Sequence, residues 1–175
     1  TDNRRDKRFT ELQLQRFLKF TDFFETHISY PFLKHALNSD GIANYTAAQF
    51  DMVRTGIGMF GVSGTPAMKR KLLPVLSWYS AVSQVRTLSK GDSVGYGRSF
   101  VAQKKMCIAI IPLGYADGFS RNLSNGKGGV YIQNTFCPTV GRVCMDMIMV
   151  DVSGLVVSEG EQVEIIGAHQ SLETL

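Results

Sequence analysis

Along the first segment, apolar side chains recur at helical spacing, Leu14, Phe17 and Leu18 followed by Phe20, Phe23 and Phe24, which is the interval of an amphipathic helix face. Thr10-Glu11-Leu12-Gln13 stands ahead of them with capping-box spacing, so a helix is predicted over residues 11–26. Residues 30–36 form a short apolar run that reads as a buried strand, ended by the polar turn Asn38-Ser39-Asp40-Gly41. A second capping-box spacing, Thr46-Ala47-Ala48-Gln49, opens a helical turn before a second candidate strand at residues 52–60. Helix, strand, helix, strand is the alternation of an α/β protein with parallel strands, and two such units are too few to close a sheet by themselves.

Residues 61–74, with Gly64, Pro66 and Pro74, have the composition of a boundary. Beyond them the pattern changes to strands bounded by glycines, at residues 75–88, 106–112, 129–133, 139–152 and 162–167. These are rich in Val, Ile, Tyr and Cys and show no helical period, so an all-β part, a small barrel or sandwich, is expected. The predicted organisation is an α/β part over residues 1–65 and a β-domain over residues 66–175. No internal repeat or low-complexity tract interrupts it.

Composition narrows the class. With 44% hydrophobic and 19% charged residues among 175, the chain can bury a real core. Its net charge of +4 gathers at Arg4, Arg5, Lys7 and Arg8 and again at Lys69, Arg70 and Lys71. Both clusters are short and lack interleaved aromatics, which argues against a nucleic-acid partner. Three cysteines, Cys107, Cys137 and Cys144, without a Cys-x-x-Cys pair, suggest neither a disulfide framework nor a metal site and fit a reducing, cytoplasmic setting. No apolar run approaches the roughly 20 residues that cross a bilayer, and the first residues are polar where a signal peptide would be apolar.

Candidate chemistry lies in five short motifs. His35-Ala36-Leu37-Asn38-Ser39 places a hydroxyl and an amide at the carboxyl end of a predicted parallel strand, where α/β folds bind ligands; alone, it reads equally as a core histidine followed by an ordinary Asx-type turn. Arg54-Thr55-Gly56-Ile57-Gly58 offers a fixed charge and small residues whose backbone N–H groups can approach a phosphate; the plain alternative is a tight strand end with Arg54 paired to Asp51. Gly95-Tyr96-Gly97 and Gly114-Tyr115-Ala116-Asp117-Gly118 present tyrosines in turns, and Cys144-Met145-Asp146 is expected inside a strand. Taken singly, each is a turn aromatic or core filler, because flanking glycines expose a phenol without activating it.

In order, His35-x-x-Asn38-Ser39, Arg54-x-Gly56-Ile57, Val94-Gly95-Tyr96-Gly97, Gly114-Tyr115-Ala116-Asp117-Gly118 and Gly141-Arg142-Val143-Cys144-Met145-Asp146 resemble the successive motifs of the bacterial alanine racemases, which depend on pyridoxal 5'-phosphate. The resemblance covers residues 12–167. It implies the last strands and helices of a (β/α)8 barrel followed by an all-β, barrel-like C-terminal domain, and a head-to-tail homodimer whose subunits share each active site. By the same resemblance, Ser39 and the N–H groups of Gly56 and Ile57 hold the cofactor phosphate, and Asn38 lines that turn. Arg54 faces the pyridine nitrogen with His35 behind it, which makes the ring a weaker electron sink than one paired with a carboxylate.

Racemisation of L- and D-alanine needs acid/base groups on both faces of the substrate carbon, and the family uses a lysine and a tyrosine. The tyrosine maps to Tyr96, while Tyr115 and Met145 map to residues that narrow the substrate entrance and bind the substrate's carboxylate region; Tyr96 and Met145 would act on the partner subunit. The resemblance places the cofactor lysine upstream of residue 1 and a phosphate-contacting tyrosine after Leu175. These residues alone are therefore expected to be inactive and to expose apolar faces of the α/β part. The implied product role is D-alanine for peptidoglycan of the cell wall. Alternatives are a racemase of another small amino acid such as serine, a related barrel-type decarboxylase, disfavoured because its ring nitrogen would face an acidic residue where Arg54 stands, or a β-domain serving only dimerisation.

Overall fold

The computed structural model describes residues 7–175, so Arg4 and Arg5 of the first basic cluster lie outside the described residues. The chain divides into two units between Val75 and Leu76.

In the first unit, helix α1 spans Lys7–His27, a turn longer at its start than the apolar spacing predicts. Its buried residues are Thr10 and Thr21, whereas Leu12, Leu18, Phe20, Phe23 and Phe24 are exposed. The apolar face that defines the helix in sequence therefore lies open, as expected of the α/β part. The predicted strand at residues 30–36 is not a buried strand: it contributes one parallel bridge, His35 to Met52, and both Tyr30 and Leu33 are 67% exposed. The segments still run side by side, joined by Asp51 N–H to the Lys34 carbonyl at 3.1 Å, Arg54 N–H to the Leu37 carbonyl at 2.9 Å and Lys34 N–H to Asp51 Oδ2 at 2.8 Å. A parallel ladder is stable inside a sheet covered on both faces, and among the described residues these two segments pair only with each other.

The predicted turn at residues 38–41 starts helix α2, Ser39–Asn44, whose N-cap Asn38 accepts from Gly41 N–H at 3.0 Å. A 3-10 turn at Thr46–Ala48 follows where the second capping-box spacing stands. The second predicted strand ends early: residues 57–60 wind into a 3-10 turn, Ile57–Phe60, closed by Gly61 at φ +80°. Helix α3, Pro66–Lys69, occupies part of the boundary segment.

The second unit is an antiparallel β-domain. Strands β1 (Trp78–Ala81), β6 (Gly129–Ile132), β7 (Thr135–Pro138) and β9 (Gln162–Ile166) form a sheet ordered β1-β9-β6-β7. Strands β2 (Gln84–Leu88), β5 (Met106–Ile111) and β8 (Ile148–Asp151) form a second, ordered β2-β5-β8, and the two-residue strands β3 (Ser93–Val94) and β4 (Phe100–Val101) pair beside them. The predicted run 75–88 is two strands in different sheets, because Val82 N–H bonds to the Glu161 carbonyl while Ser83 N–H bonds to that of Ile110. Ile111, Phe119, Val130, Ile132, Ile148, Val150, Val163 and Ile165 are fully buried in one core cluster.

The run 139–152 is likewise shorter as a strand than its composition predicts. Residues 144–146 form a turn, closed by Cys144 N–H to the Met147 carbonyl at 3.0 Å, and only Ile148–Asp151 pairs as β8. Cys144-Met145-Asp146 is thus outside any strand, which releases Met145 to the surface at 54% exposure.

Candidate functional site

In the first unit, the parallel approach of residues 34–37 to residues 51–54 carries the two motifs beyond it to a common edge. Ser39 is the first residue of α2, and its Oγ accepts hydrogen bonds from Gly56 N–H at 2.9 Å and Gly58 N–H at 3.1 Å. A methyl on Gly58 would stand 3.3 Å from that oxygen, a tight contact that the hydroxyl could relieve only by shifting. Arg54 is anchored at both ends of the residue, its backbone N–H on the Leu37 carbonyl and its Nη2 on the Ala36 carbonyl at 3.2 Å. Asn38, Ser39, Arg54, Gly56 and Ile57 are thereby gathered along one edge.

His35 does not make the expected contact. Among the described residues its buried Nδ1 has no hydrogen-bond partner, and the guanidinium of Arg54 turns to a main-chain carbonyl instead. A buried ring nitrogen left unpaired is costly. Backbone N–H groups and a hydroxyl are the kinds of group that can hold an anionic phosphate, and here the Gly56 and Gly58 N–H groups are taken by the Ser39 oxygen.

In the second unit, Tyr96 starts a 3-10 turn, Tyr96–Arg98, between Gly95 at φ +77° and Gly97 at φ +67°, and is 71% exposed. The left-handed backbone on both sides needs glycine and presents the phenol outward. Behind it, a methyl on Gly95 would meet the Arg142 nitrogen at 3.1 Å, and a methyl on Gly141 would meet the Val94 carbonyl at 3.1 Å. The 94–97 turn therefore rests on residues 141–142.

Tyr115 starts another 3-10 turn, Tyr115–Asp117. The N–H groups of Tyr115 and Ala116 donate to the carbonyls of Cys144 at 3.0 Å and Met145 at 3.1 Å. The segment from Gly141 to Met145 thus supports both tyrosine turns, bringing Tyr96, Tyr115 and Met145 into one loop cluster. Arg121 places its guanidinium 5.4 Å from the Tyr115 ring centroid, a cation–π contact. Sequence reasoning gave Arg121 and Arg142 no role; a lone arginine carries no local signal of which ring or turn it will meet.

All three cysteines are free. Burial pushes the Cys137 thiol up to about 11, and burial also raises that of Cys144 against the opposing charge of Arg121. Among the described residues, no group of three or more His, Cys, Asp or Glu side chains could hold a metal ion, and no helix is long and apolar enough to cross a membrane.

Comparison with known proteins adds an independent line. The family described as "Alanine racemase, N-terminal domain" matches residues 1–64, and "Alanine racemase, C-terminal domain" matches residues 75–175. An alanine racemase of Cutibacterium acnes is 43% identical over 170 residues, which cover 95% of this chain and 44% of that protein. The structure of alanine racemase from Bacillus anthracis with bound L-Ala-P matches with a TM-score of 0.84 at 28% identity, covering 100% of this chain and 45% of that one. That of alanine racemase from Bartonella henselae with covalently bound pyridoxal phosphate matches with a TM-score of 0.75 at 35% identity, covering 94% and 45%. The chain spans less than half the length of these relatives.

Proposed function

The chain belongs to the alanine racemase family, and from that premise we propose that the whole protein interconverts L- and D-alanine with pyridoxal 5'-phosphate. The carrying observation is the seat of the Ser39 hydroxyl on the Gly56 and Gly58 amides beside the anchored Arg54. A phosphate there would take the Gly56 and Ile57 N–H groups as donors, with the Ser39 hydroxyl turning from acceptor to donor and Asn38 closing the same turn. Arg54 would face the pyridine nitrogen, with His35 supporting it through the ring nitrogen now lacking a partner. When bound, this cofactor supplies an electron sink that acidifies the substrate's Cα–H.

What the chain's own residues contribute to proton movement is Tyr96. Its phenolic oxygen gives or takes the Cα proton on one face, and the opposite face belongs to a lysine. Its exposure, with that of Met145, supports a role in a site completed by a partner subunit in a head-to-tail homodimer. Tyr115 and Met145 then border the substrate entrance. On their own these 175 residues carry only the tyrosine side and are expected not to racemise alanine.

In this reading residues 1–65 are the end of the barrel domain, residues 66–175 belong to the β-domain, and the enzyme works in the cytoplasm to supply D-alanine for peptidoglycan. The test is chiral analysis of L-alanine incubated with the full-length gene product and pyridoxal phosphate. D-Alanine accumulating toward equal amounts supports the reading; cofactor binding with alanine unchanged refutes the substrate assignment.

A further inference from the structure

The turn that carries Tyr115 is closed by a side chain to which the proposed function gives no task. Asp117 Oδ2 accepts the backbone N–H of Gly114 at 2.8 Å, and Gly114 is buried. The Gly114 carbonyl in turn accepts the N–H groups of Asp117 at 3.1 Å and Phe119 at 3.1 Å, and Phe119 is 0% exposed, pinning the end of the turn in the core. Residues 114–119 form a small closed frame whose entry is held by one carboxylate.

The same frame fixes the opposite loop. A methyl on Gly114 would collide with the carbonyl oxygens of Cys144 and Met145, so the two loops approach at the limit that backbone alone allows. At that approach Tyr115 N–H and Ala116 N–H reach the Cys144 and Met145 carbonyls. Releasing the Gly114 amide from Asp117 frees the start of the turn and with it the alignment of both bonds. Tyr115 and Met145 would shift together.

We propose that Asp117 is a positioning residue for substrate entry: by holding the Gly114 amide it sets the Tyr115 turn against the Met145 loop and so fixes the width between those two side chains. The inference rests on the reading that Tyr115 and Met145 border the entrance. Asp117 acts through them and needs no contact with substrate. The requirement is for an acceptor oxygen at that reach, not for charge, so asparagine can replace aspartate.

The test uses the full-length protein loaded with pyridoxal phosphate, comparing Asp117→Ala, Asp117→Asn, Tyr115→Ala and the double variant D117A/Y115A. Expected are a rise in KM for alanine of about tenfold in D117A with kcat little changed, from loss of one partly buried hydrogen bond, and near-native constants in D117N. The double variant should show the KM of Y115A alone, because two residues acting through one element are not additive. Should D117A not fold, Asp117→Glu, which carries its acceptor one methylene further, is expected to raise KM in the same way. Native KM in D117A, equal impairment of D117A and D117N, or additive effects in the double variant overturns the inference while leaving the entrance reading intact. Native KM in Y115A overturns the entrance reading and this inference with it.

Discussion

Replacing Ser39 by alanine removes one oxygen that serves two backbone donors. In the structure that oxygen accepts from Gly56 N–H at 2.9 Å and Gly58 N–H at 3.1 Å, and a typical intramolecular hydrogen bond contributes about 0.5–1.5 kcal/mol net. The loop at residues 56–58 therefore loses about 1–3 kcal/mol of local hold, tempered because these amides lie near the surface and water can take the vacated place. In the cofactor complex the loss is different in kind, since the hydroxyl donates to an ionised phosphate, a bond worth about 1.5–3 kcal/mol. That range corresponds to roughly 10- to 150-fold weaker binding of pyridoxal phosphate at about 1.4 kcal/mol per decade. Titration of the full-length Ser39→Ala variant with the cofactor, followed by its absorbance, measures this directly. An unchanged dissociation constant would refute the assignment of Ser39 to the phosphate, whatever the variant's stability.

Two further outcomes follow from ionisable groups of the second unit. Burial alone would raise the pKa of Glu164, but the backbone N–H and imidazole of His169, at 2.7 and 3.2 Å, outweigh it and hold it below its ordinary value. Its contribution to stability is present above the unfolded-state value and is lost as pH falls through the depressed folded-state value. Glu164→Gln should therefore lower the thermal midpoint at neutral pH and flatten its decline in acid, whereas parallel curves for the two proteins would contradict this. Cys137, fully buried and with its thiol raised to about 11, should escape iodoacetamide at neutral pH and be labelled only after unfolding, as peptide mass spectrometry will show.

Much of the architecture is local enough to be legible in sequence. The period of α1, the alternation from helices to glycine-bounded strands, and the strands β5, β6 and β9 depend on neighbouring residues and match the spacing read from them. The segments at residues 30–36 and 52–60 mislead because their apolar character suits parallel strands, whose pairing requires neighbours that composition cannot supply. Strand β7 escapes notice because its hairpin turns on Gln133 and Asn134, both at positive φ, without the glycine that marks such turns. The 144–146 turn is hidden inside a β-rich run because bonds to residues 115 and 116, distant in the chain, accompany its shape.

At the candidate site, glycine-flanked motifs disclose which tyrosines stand in turns, and the family resemblance gives them roles. The packing of both tyrosine turns against residues 141–145 is a tertiary fact that no single motif contains. So is the contact of Arg121 with the Tyr115 ring. His35 illustrates the reverse: the resemblance expects it behind Arg54, while the structure leaves its Nδ1 without a partner.

The central claim, that Tyr96 moves the proton on one face of alanine, is tested most directly by α-hydrogen exchange in deuterated water with the full-length protein and its Tyr96→Phe variant. The native enzyme should exchange the α-hydrogen of both L- and D-alanine. The variant should lose exchange of one enantiomer by a factor of about 10²–10⁴ while the base on the opposite face still exchanges the other without racemising it. Exchange of both enantiomers at native rates in the variant would contradict the account.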